Sequence, residues 1–261
     1  MNNISEAHLR SDPDGDWYQF EAFRELDAVA AFSTRRLRLY DPQGDSESLE
    51  PNRRRFCRSL GIRREEVLFL GQVHGEKVAV MEDVFGSDRV GSERQSAIPD
   101  VDAVLTKSSN VALAIHTADC APLFFLDPVA RVVGIAHVGW RGAQKRLASR
   151  VVRTFQSRFS SETQNLVVGF GPMIRRCCYE VGAEFKDWFD SSISVRNETC
   201  FLDLAKWIRE DLAEAGVGEN QMHDSGLCTS CTADRFVSYR RDGVQTHHML
   251  SVVKLVQNGD R

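Results

Sequence analysis

The chain has 261 residues, near-average apolar and charged content, and a formal net charge of −4 from 33 basic and 37 acidic side chains. These totals fit a soluble globular protein of one large domain or two small ones. They give no electrostatic case for a nucleic-acid partner or an anionic membrane surface, because nothing in the balance attracts a polyanion.

The opening stretch, "MNNISEAHLRSDPDGDW", is polar and acidic. It lacks a basic stretch followed by an apolar core, so it does not read as a secretory signal. Residues 1–16 read as a flexible arm ahead of a single domain over 17–261. The basic runs "RRLR" from Arg35 and "NRRR" from Asn52 read mainly as solvated faces. "DPQGDSESLEPNRRRFCRSLGI" predicts a loop and then a helix, which Pro51 can start and Gly61 can stop. "EEVLFLGQVHG" predicts a buried strand ending at a turn, and "KVAVMEDV" another short strand. "FGSDRVGSERQSAIPD" predicts a polar loop.

The apolar heart is "VDAVLTKSSNVALAIHTADCAPLFFLDPVARVVGIAHVGW". Its β-rich runs fall at Val111–Thr117, Pro122–Leu126 and Val132–Val138, with "DPVAR" a hairpin turn between the last two. The long apolar stretches are broken by Asp119, Asp127, Arg131 and Arg141, so none is a transmembrane candidate. Ala143, Leu147, Val151, Phe155 and Phe159 then recur at four-residue steps, the apolar stripe of a helix. Cys57, Phe155 and Phe159 read as core. "NLVVGFGP" predicts a strand running into a turn. Phe201–Ala215 predicts a helix with Asp203 as N-cap and Gly216 as its stop. "DRFVSYRRDG" and "HMLSVVKLV" predict closing strands. The irregular mix of strands and helices, with antiparallel turns, predicts an α+β fold of mixed sheets and no linker between domains. Neither GxGxxG nor GxxxxGK[ST] occurs.

Seven cysteines (57, 120, 177, 178, 200, 228, 231), an odd number with no signal segment, point to reduced thiols and a cytoplasmic protein. Of the seven histidines (8, 74, 116, 137, 223, 247, 248), His74, His116 and His137 sit beside turns at predicted strand ends, as does Cys120. Two readings follow. His74, Cys120 and His137 could bind one zinc ion, leaving a fourth position open as in catalytic sites. Alternatively, Cys120 could be a nucleophile with His137 as its base. The residues are also consistent with hydrogen-bonded core side chains, because His–x45–Cys–x16–His is no recognised zinc spacing. The pair in "CTSC", Cys228 and Cys231, looks like half of a zinc ribbon. "RCCYE" offers only adjacent cysteines, which do not readily chelate beside it, so no metal or redox role is expected there. Arg141, at the start of the predicted helix after His137, suits a phosphate or carboxylate. Arg35 and Arg240 lie at other strand ends.

Taken together, "QVHG", "TADCAPLFFLD", "AHVGWRGA", "GFGPMIRRCCYEVG", "LDLAKWIREDLAEAGV" and "CTSCTADRFVSYRRDG" resemble the YfiH family. That family is also described as laccase-like polyphenol oxidoreductase, as peptidoglycan editing factor and as the bacterial relative of mammalian FAMIN. The resemblance runs in order from about Phe32 to Gly243.

The resemblance implies layered mixed β-sheets flanked by helices, a likeness shared with toxin deamidases. It implies zinc on His74, Cys120 and His137, with copper able to occupy the same ligands. It implies phosphorolysis of adenosine, inosine and methylthioadenosine to the base and ribose 1-phosphate (methylthioribose 1-phosphate from the last), alongside adenosine deamination. Zinc can lower the pKa of bound water to about 7, which suits deamination. Asp119, beside the ligand Cys120, is a candidate general acid/base or supporting partner. Arg141, with Arg35 and Arg240 behind it, is a candidate for phosphate. Nucleoside and phosphate are the expected partners, with a monomer or small homo-oligomer. True multicopper chemistry is discounted, because the chain contains no His-x-His pair for a trinuclear cluster.

The segment "FSTRRLRLYDPQGDSESLEPN" lacks the "GGVS" and "LNLG" usual in the family, and no "TGR" follows "SYRRDGVQTHHML". His116 matches no family ligand position. Two rival readings are a cysteine hydrolase or amidase that edits peptidoglycan precursors, and a metal-binding member whose altered segment has lost catalysis.

Overall fold

The structure, a computed structural model, describes residues 8–40, 46–86, 97–244 and 246–257. Two mixed sheets lie face to face. The first runs β1 (Leu9–Ser11), β2 (Trp17–Phe20), β3 (Ala28–Ser33), β16 (Met249–Leu255), β8 (Ala112–Thr117), β4 (Val67–Gly71) and β6 (Ala97–Pro99). The second runs β15 (Met222–Asp224), β11 (Val167–Phe170), β9 (Ala121–Asp127), β10 (Val132–Val138), β7 (Ala103–Thr106) and β5 (Val78–Val80). A small antiparallel sheet joins β12 (Glu180–Val181), β14 (Thr199–Leu202) and β13 (Ile193–Arg196).

Strand alternation builds the layers, since successive side chains point to opposite faces. In β9, Phe124 and Leu126 pack toward the first sheet with Phe20, Phe32 and Ile115. Leu123 and Phe125 face the other way, onto Leu147, Val151 and Phe155 of the helix Leu147–Phe159 and Ile208 and Leu212 of the helix Leu204–Glu214. The outer face of the first sheet, with Val29, Ala31, Ala112 and Val252, is covered by Phe56 and Cys57 of the helix Ser46–Ser59. Each large apolar side chain so buried contributes roughly 1.5–3 kcal/mol. The result is helix, sheet, sheet and helix in four layers, the α+β arrangement that the pattern predicts.

Several elements differ from expectation for identifiable reasons. Leu9–Ser11, inside the segment read as an arm, pairs with β2 across the Asp12–Asp16 turn. Residues 1–7 lie outside the described residues. The helix expected to start at Pro51 already begins at Ser46, with Pro51 inside it. "KVAVMEDV" is half strand: Met81–Phe85 turns into a short helix. Of the loop after it, 87–96 lie outside the described residues, and Ala97–Pro99 adds an edge strand beside β4. The apolar stripe from Ala143 to Phe159 spans two helices, because Arg146 adopts φ +60° between Trp140–Gln144 and Leu147–Phe159. Phe201 and Leu202 belong to β14, so the following helix starts at Leu204, where Asp203 accepts the Lys206 N–H at 3.0 Å. "DRFVSYRRDG" forms no strand. Ser238 instead caps a four-residue helix, Tyr239–Asp242. Among the described residues no helix is long and apolar enough to cross a membrane.

Candidate metal centre and cavity

The two sheets meet at one end in a group of turns. β4 of the first sheet ends at Gly71 and continues through Gln72, Val73, His74 and Gly75. Gln72 closes the strand end with its side chain: its Nε2 donates to the His116 carbonyl and its Oε1 accepts the His116 N–H, both at 2.8 Å. His74 then turns the chain with φ +58°. That left-handed conformation costs an L residue about 1–2 kcal/mol. The cost is offset because three successive N–H groups, of Val73, His74 and Gly75, converge on the Asp102 carboxylate at 3.2, 3.0 and 2.7 Å.

Asp102 is fully buried just ahead of β7. Its Oδ1 also accepts Nδ1–H of His137 at 2.9 Å, and its carbonyl accepts the His137 backbone N–H at 2.7 Å. Burial alone would push the Asp102 carboxyl up. The imidazole and the N–H groups of Gly75 and Val73 instead hold it below the usual carboxylate range. With its Nδ1 proton committed to Asp102, His137 presents Nε2 to the centre.

Cys120 arrives from the bend between β8 and β9. The β9–β10 register places Pro122 opposite His137 and Ala121 opposite Val138. One step further on, Cys120 faces Gly139. A Cβ at Gly139 would sit 2.9 Å from Cys120 Sγ and 3.3 Å from His74 Cδ2, so the sulfur and ring occupy the space a side chain would need. The ligating atoms of His74, Cys120 and His137 all lie within 4.8 Å of one another. The His74 and His137 rings meet edge to face at 4.7 Å. Burial would push the Cys120 thiol up, but the charge and hydrogen bond of His137, helped by His74, hold it down at about 6. Burial would push His137 down, but Cys120 and Asp102 raise it to about 9. Thiolate and imidazolium thus stabilise each other. A soft sulfur and two imidazole nitrogens, one of the rings anchored by a carboxylate, form a donor set that fits zinc.

The centre opens into a cavity of about 860 Å³. One wall is aromatic. His116 lies parallel to Phe69 with 5.0 Å between ring centroids and 4.3 Å from Tyr40, which stacks on His248 at 4.8 Å. His116 Nδ1 is buried with no hydrogen-bond partner among the described residues. Trp140, Tyr179, Arg141 and Arg240 line other parts of the cavity.

The remaining candidates fall in different places. Arg141 stands near the start of the helix Trp140–Gln144, its guanidinium 4.3 Å over the Trp140 ring, on the cavity wall. Arg240 also lines the cavity, while its Nη1 donates to the Glu180 carbonyl at 2.7 Å. Arg35 lies outside the cavity wall and donates to the Ala233 carbonyl. Asp119 adjoins the cavity at φ +90°, but both carboxylate oxygens are engaged. Oδ1 accepts the Thr229 hydroxyl, and Oδ2 accepts the Ser238 hydroxyl at 3.0 Å and the Arg240 N–H at 2.7 Å. Asp119 therefore ties the loop carrying Cys120 to the segment 229–240. Asp102, Gly139, Tyr40 and Phe69 escaped the sequence reading. The one available signal was an aspartate set inside the apolar run "IPDVDAVLT".

Residues 32–256 match the family described as "Multi-copper polyphenol oxidoreductase laccase". The chain belongs to that family. It is 33% identical to Purine nucleoside phosphorylase YlmD of Geobacillus stearothermophilus over 80% of this chain and 79% of that protein. It is 29% identical to Adenosine deaminase RL5 of an unknown prokaryotic organism, over 85% of this chain and 92% of that protein. The crystal structure of the Geobacillus YlmD superposes with a TM-score of 0.85 at 28% identity, covering 96% and 99% of the two chains. That of the Bacillus licheniformis protein YfiH gives 0.82 at 27%, covering 95% and 98%. These relatives support the expectation of a family of enzymes with layered mixed sheets. Among the described residues, the histidine-bearing group that could hold a metal ion is His74, Cys120 and His137.

Proposed function

We propose that this family member is a zinc-dependent purine nucleoside phosphorylase with adenosine deaminase activity, both carried out in the cavity above His74, Cys120 and His137. The observation that carries the reading is the joining of that donor set, braced by Asp102, to a cavity of about 860 Å³ with an aromatic wall and a guanidinium rim. The volume lies within the range of small-molecule sites, about 300–1,000 Å³. The names of the relatives support the same activities.

Phosphorolysis replaces the bond between ribose C1′ and the purine nitrogen with a bond from C1′ to a phosphate oxygen. The purine leaves with a proton, and ribose 1-phosphate remains. Tyr40, Phe69 and His116 offer a flat aromatic wall for the base. Arg141 and Arg240 supply the positive charge that holds phosphate near the ribose. Methylthioadenosine fits the same scheme, because the change at its ribose 5′ position leaves the base and C1′ untouched. Asp102 fixes the proton of His137 on Nδ1 and keeps Nε2 directed inward. Zinc on His74, Cys120 and His137 supplies Lewis-acid polarisation when bound. Asp119 acts as a positioning residue.

A second reading is favoured by one specific observation. Asp102, His137 and Cys120 also form the chain of contacts that activates a cysteine nucleophile, as a hydrolase of peptidoglycan precursors would need. One experiment separates the readings. The purified chain is analysed for metal, then incubated with adenosine with and without phosphate, and the products are identified. Ribose 1-phosphate and adenine formed only with phosphate, together with inosine, support the proposal. Cys120→Ala is expected to lose the cavity metal and both activities. Full activity in a Cys120→Ala protein free of metal at this centre overturns the assignment. Absence of nucleoside products, with alkylation of Cys120 abolishing cleavage of a muropeptide precursor, transfers the site to the second reading.

A further inference from the structure

We propose that Cys177, Cys178, Cys228 and Cys231 form a second metal site, a closed tetrathiolate centre that binds one zinc ion and staples together the two loops flanking the cavity. The four sulfurs lie within 4.8 Å of one another. Cys231 Sγ is 3.1 Å from Cys178 Sγ and 3.2 Å from Cys177 Sγ. A thiol equally close to two others suits a centre with several ligands, because a disulfide would take one partner and exclude the other. Zinc–sulfur bonds of about 2.3 Å in a tetrahedron place the sulfurs roughly 3.8 Å apart, so a small outward movement accommodates the ion.

The loops are built for this convergence. β11 and β15 run parallel, and a bridge between Met173 and Cys228 extends their pairing into the following loops. On the first loop, the Cys178 and Tyr179 N–H groups both donate to the Arg175 carbonyl, at 2.8 and 2.9 Å. That single helical turn explains how adjacent cysteines share a centre. Neighbouring side chains in a strand point to opposite faces, whereas in a helical turn they stand about 100° apart. On the second loop, the Thr232 N–H donates to the Cys228 carbonyl at 3.0 Å, closing the turn that carries Cys228 and Cys231. Arg241 fixes the turn further by donating to the Thr229 and Ser230 carbonyls, both at 2.9 Å.

An all-cysteine set leaves no open coordination position, so this site is structural. Its position gives it consequences for the cavity. The first loop carries Ile174 and Tyr179 into the cavity wall, and the second leads on to Arg240. Thr229, between the two second-loop cysteines, holds Asp119, the neighbour of Cys120.

The test uses the full chain, purified under reducing conditions without chelator, and its Cys120→Ala variant, which isolates this site from the cavity centre. Elemental analysis of Cys120→Ala is expected to find about one zinc per chain, with an all-sulfur shell in X-ray absorption. Adding Cys228→Ser and Cys231→Ser to that variant removes the remaining zinc. Should the triple variant fail to fold, cobalt replacement in Cys120→Ala decides: the intense charge-transfer bands of a tetrathiolate support the site, and their absence overturns it. A folded Cys120→Ala protein without zinc, zinc retained in the triple variant, or a disulfide from Cys231 to Cys177 or Cys178 in place of metal also overturns it. A mixed nitrogen–sulfur shell lost with Cys120 reports on the cavity centre alone, so the two proposals fail separately.

Discussion

The molecule gathers thiols at two places, and they differ in nearly every physical respect. Around Cys120, one sulfur joins two imidazoles, one on the turn after β4 and one near the end of β10, and a buried carboxylate locks the second ring. Around Cys231, four sulfurs come from two surface loops, with Cys177 and Cys231 exposed. The first offers three candidate ligands with a cavity in front of them; the second offers four. Ligand count and supporting scaffold, more than the presence of cysteine, separate a site where a substrate can reach the ion from a site that holds loops together.

The sharpest way to break this comparison is to remove the brace that only the cavity centre has. Asp102→Asn keeps the size of the side chain but loses its charge, and can no longer accept from both His137 and three backbone N–H groups equally well. Loss of such a partner behind a ligating histidine typically costs 10- to 100-fold in metal affinity or activity. Phosphorolysis kcat/KM is expected to fall by about that factor, with zinc lost from the cavity centre while the thiolate cluster keeps its metal. Unchanged kcat/KM, or equal metal loss at both centres, would contradict the contrast.

The two places were also unequally legible in the sequence. Strands β8, β9 and β10 were readable because their apolar runs and the "DPVAR" turn are local signals, and these strands bring Cys120 to His137. The structure brings His74 to them although no zinc spacing announces it. The role of Asp102 was not readable, because its partners come from two distant segments, the 73–75 turn and β10, and nothing near it in sequence names them. The meeting of Cys177, Cys178, Cys228 and Cys231 was not readable for a similar reason: adjacent cysteines point apart on an extended backbone, and the helical turn at Arg175 brings both toward the second loop. Asp119, beside Cys120, is readable as a general acid/base or a supporting partner, and its hydrogen bonds with Thr229, Ser238 and Arg240, more than 100 residues downstream, fit the supporting role.

Crowding offers a smaller perturbation of the same centre. Gly139→Ala introduces a Cβ 2.9 Å from Cys120 Sγ and 3.3 Å from His74 Cδ2, so the sulfur or the backbone must shift by a few tenths of an ångström. Misplacement of reacting groups by about 1 Å can cost 100-fold, so a smaller shift is expected to lower kcat/KM about 10-fold. Steady-state kinetics with adenosine and phosphate checks this, alongside a cobalt spectrum that should change at the cavity centre only. Wild-type kinetics in a folded Gly139→Ala protein would show that the close approach of Cys120 to Gly139 is not needed for function.

The smallest expected effect is on stability, and it separates the two regions by pH. Burial pushes His116 down to about 3 and His248 to about 4, while an unfolded histidine titrates near 6.5. Between those values the unfolded chain binds protons that the folded chain refuses. The cavity wall thus contributes its full stability above about pH 6.5 and loses it as the pH falls toward the folded values. On the loop side, burial would push Asp224 up, but Arg175 holds it below the usual range. That contribution persists above about pH 3.9 and is lost only in stronger acid. His116→Phe keeps a flat ring between Tyr40 and Phe69 and removes the titration. Because the His116 ring borders the cavity, water there moderates the effect, and about 1 kcal/mol is expected between pH 7.5 and 5.5. Urea unfolding of both proteins at these two pH values measures it. The wild-type chain should lose about that much more stability than His116→Phe, and an equal loss in both would place the acid sensitivity outside the aromatic wall.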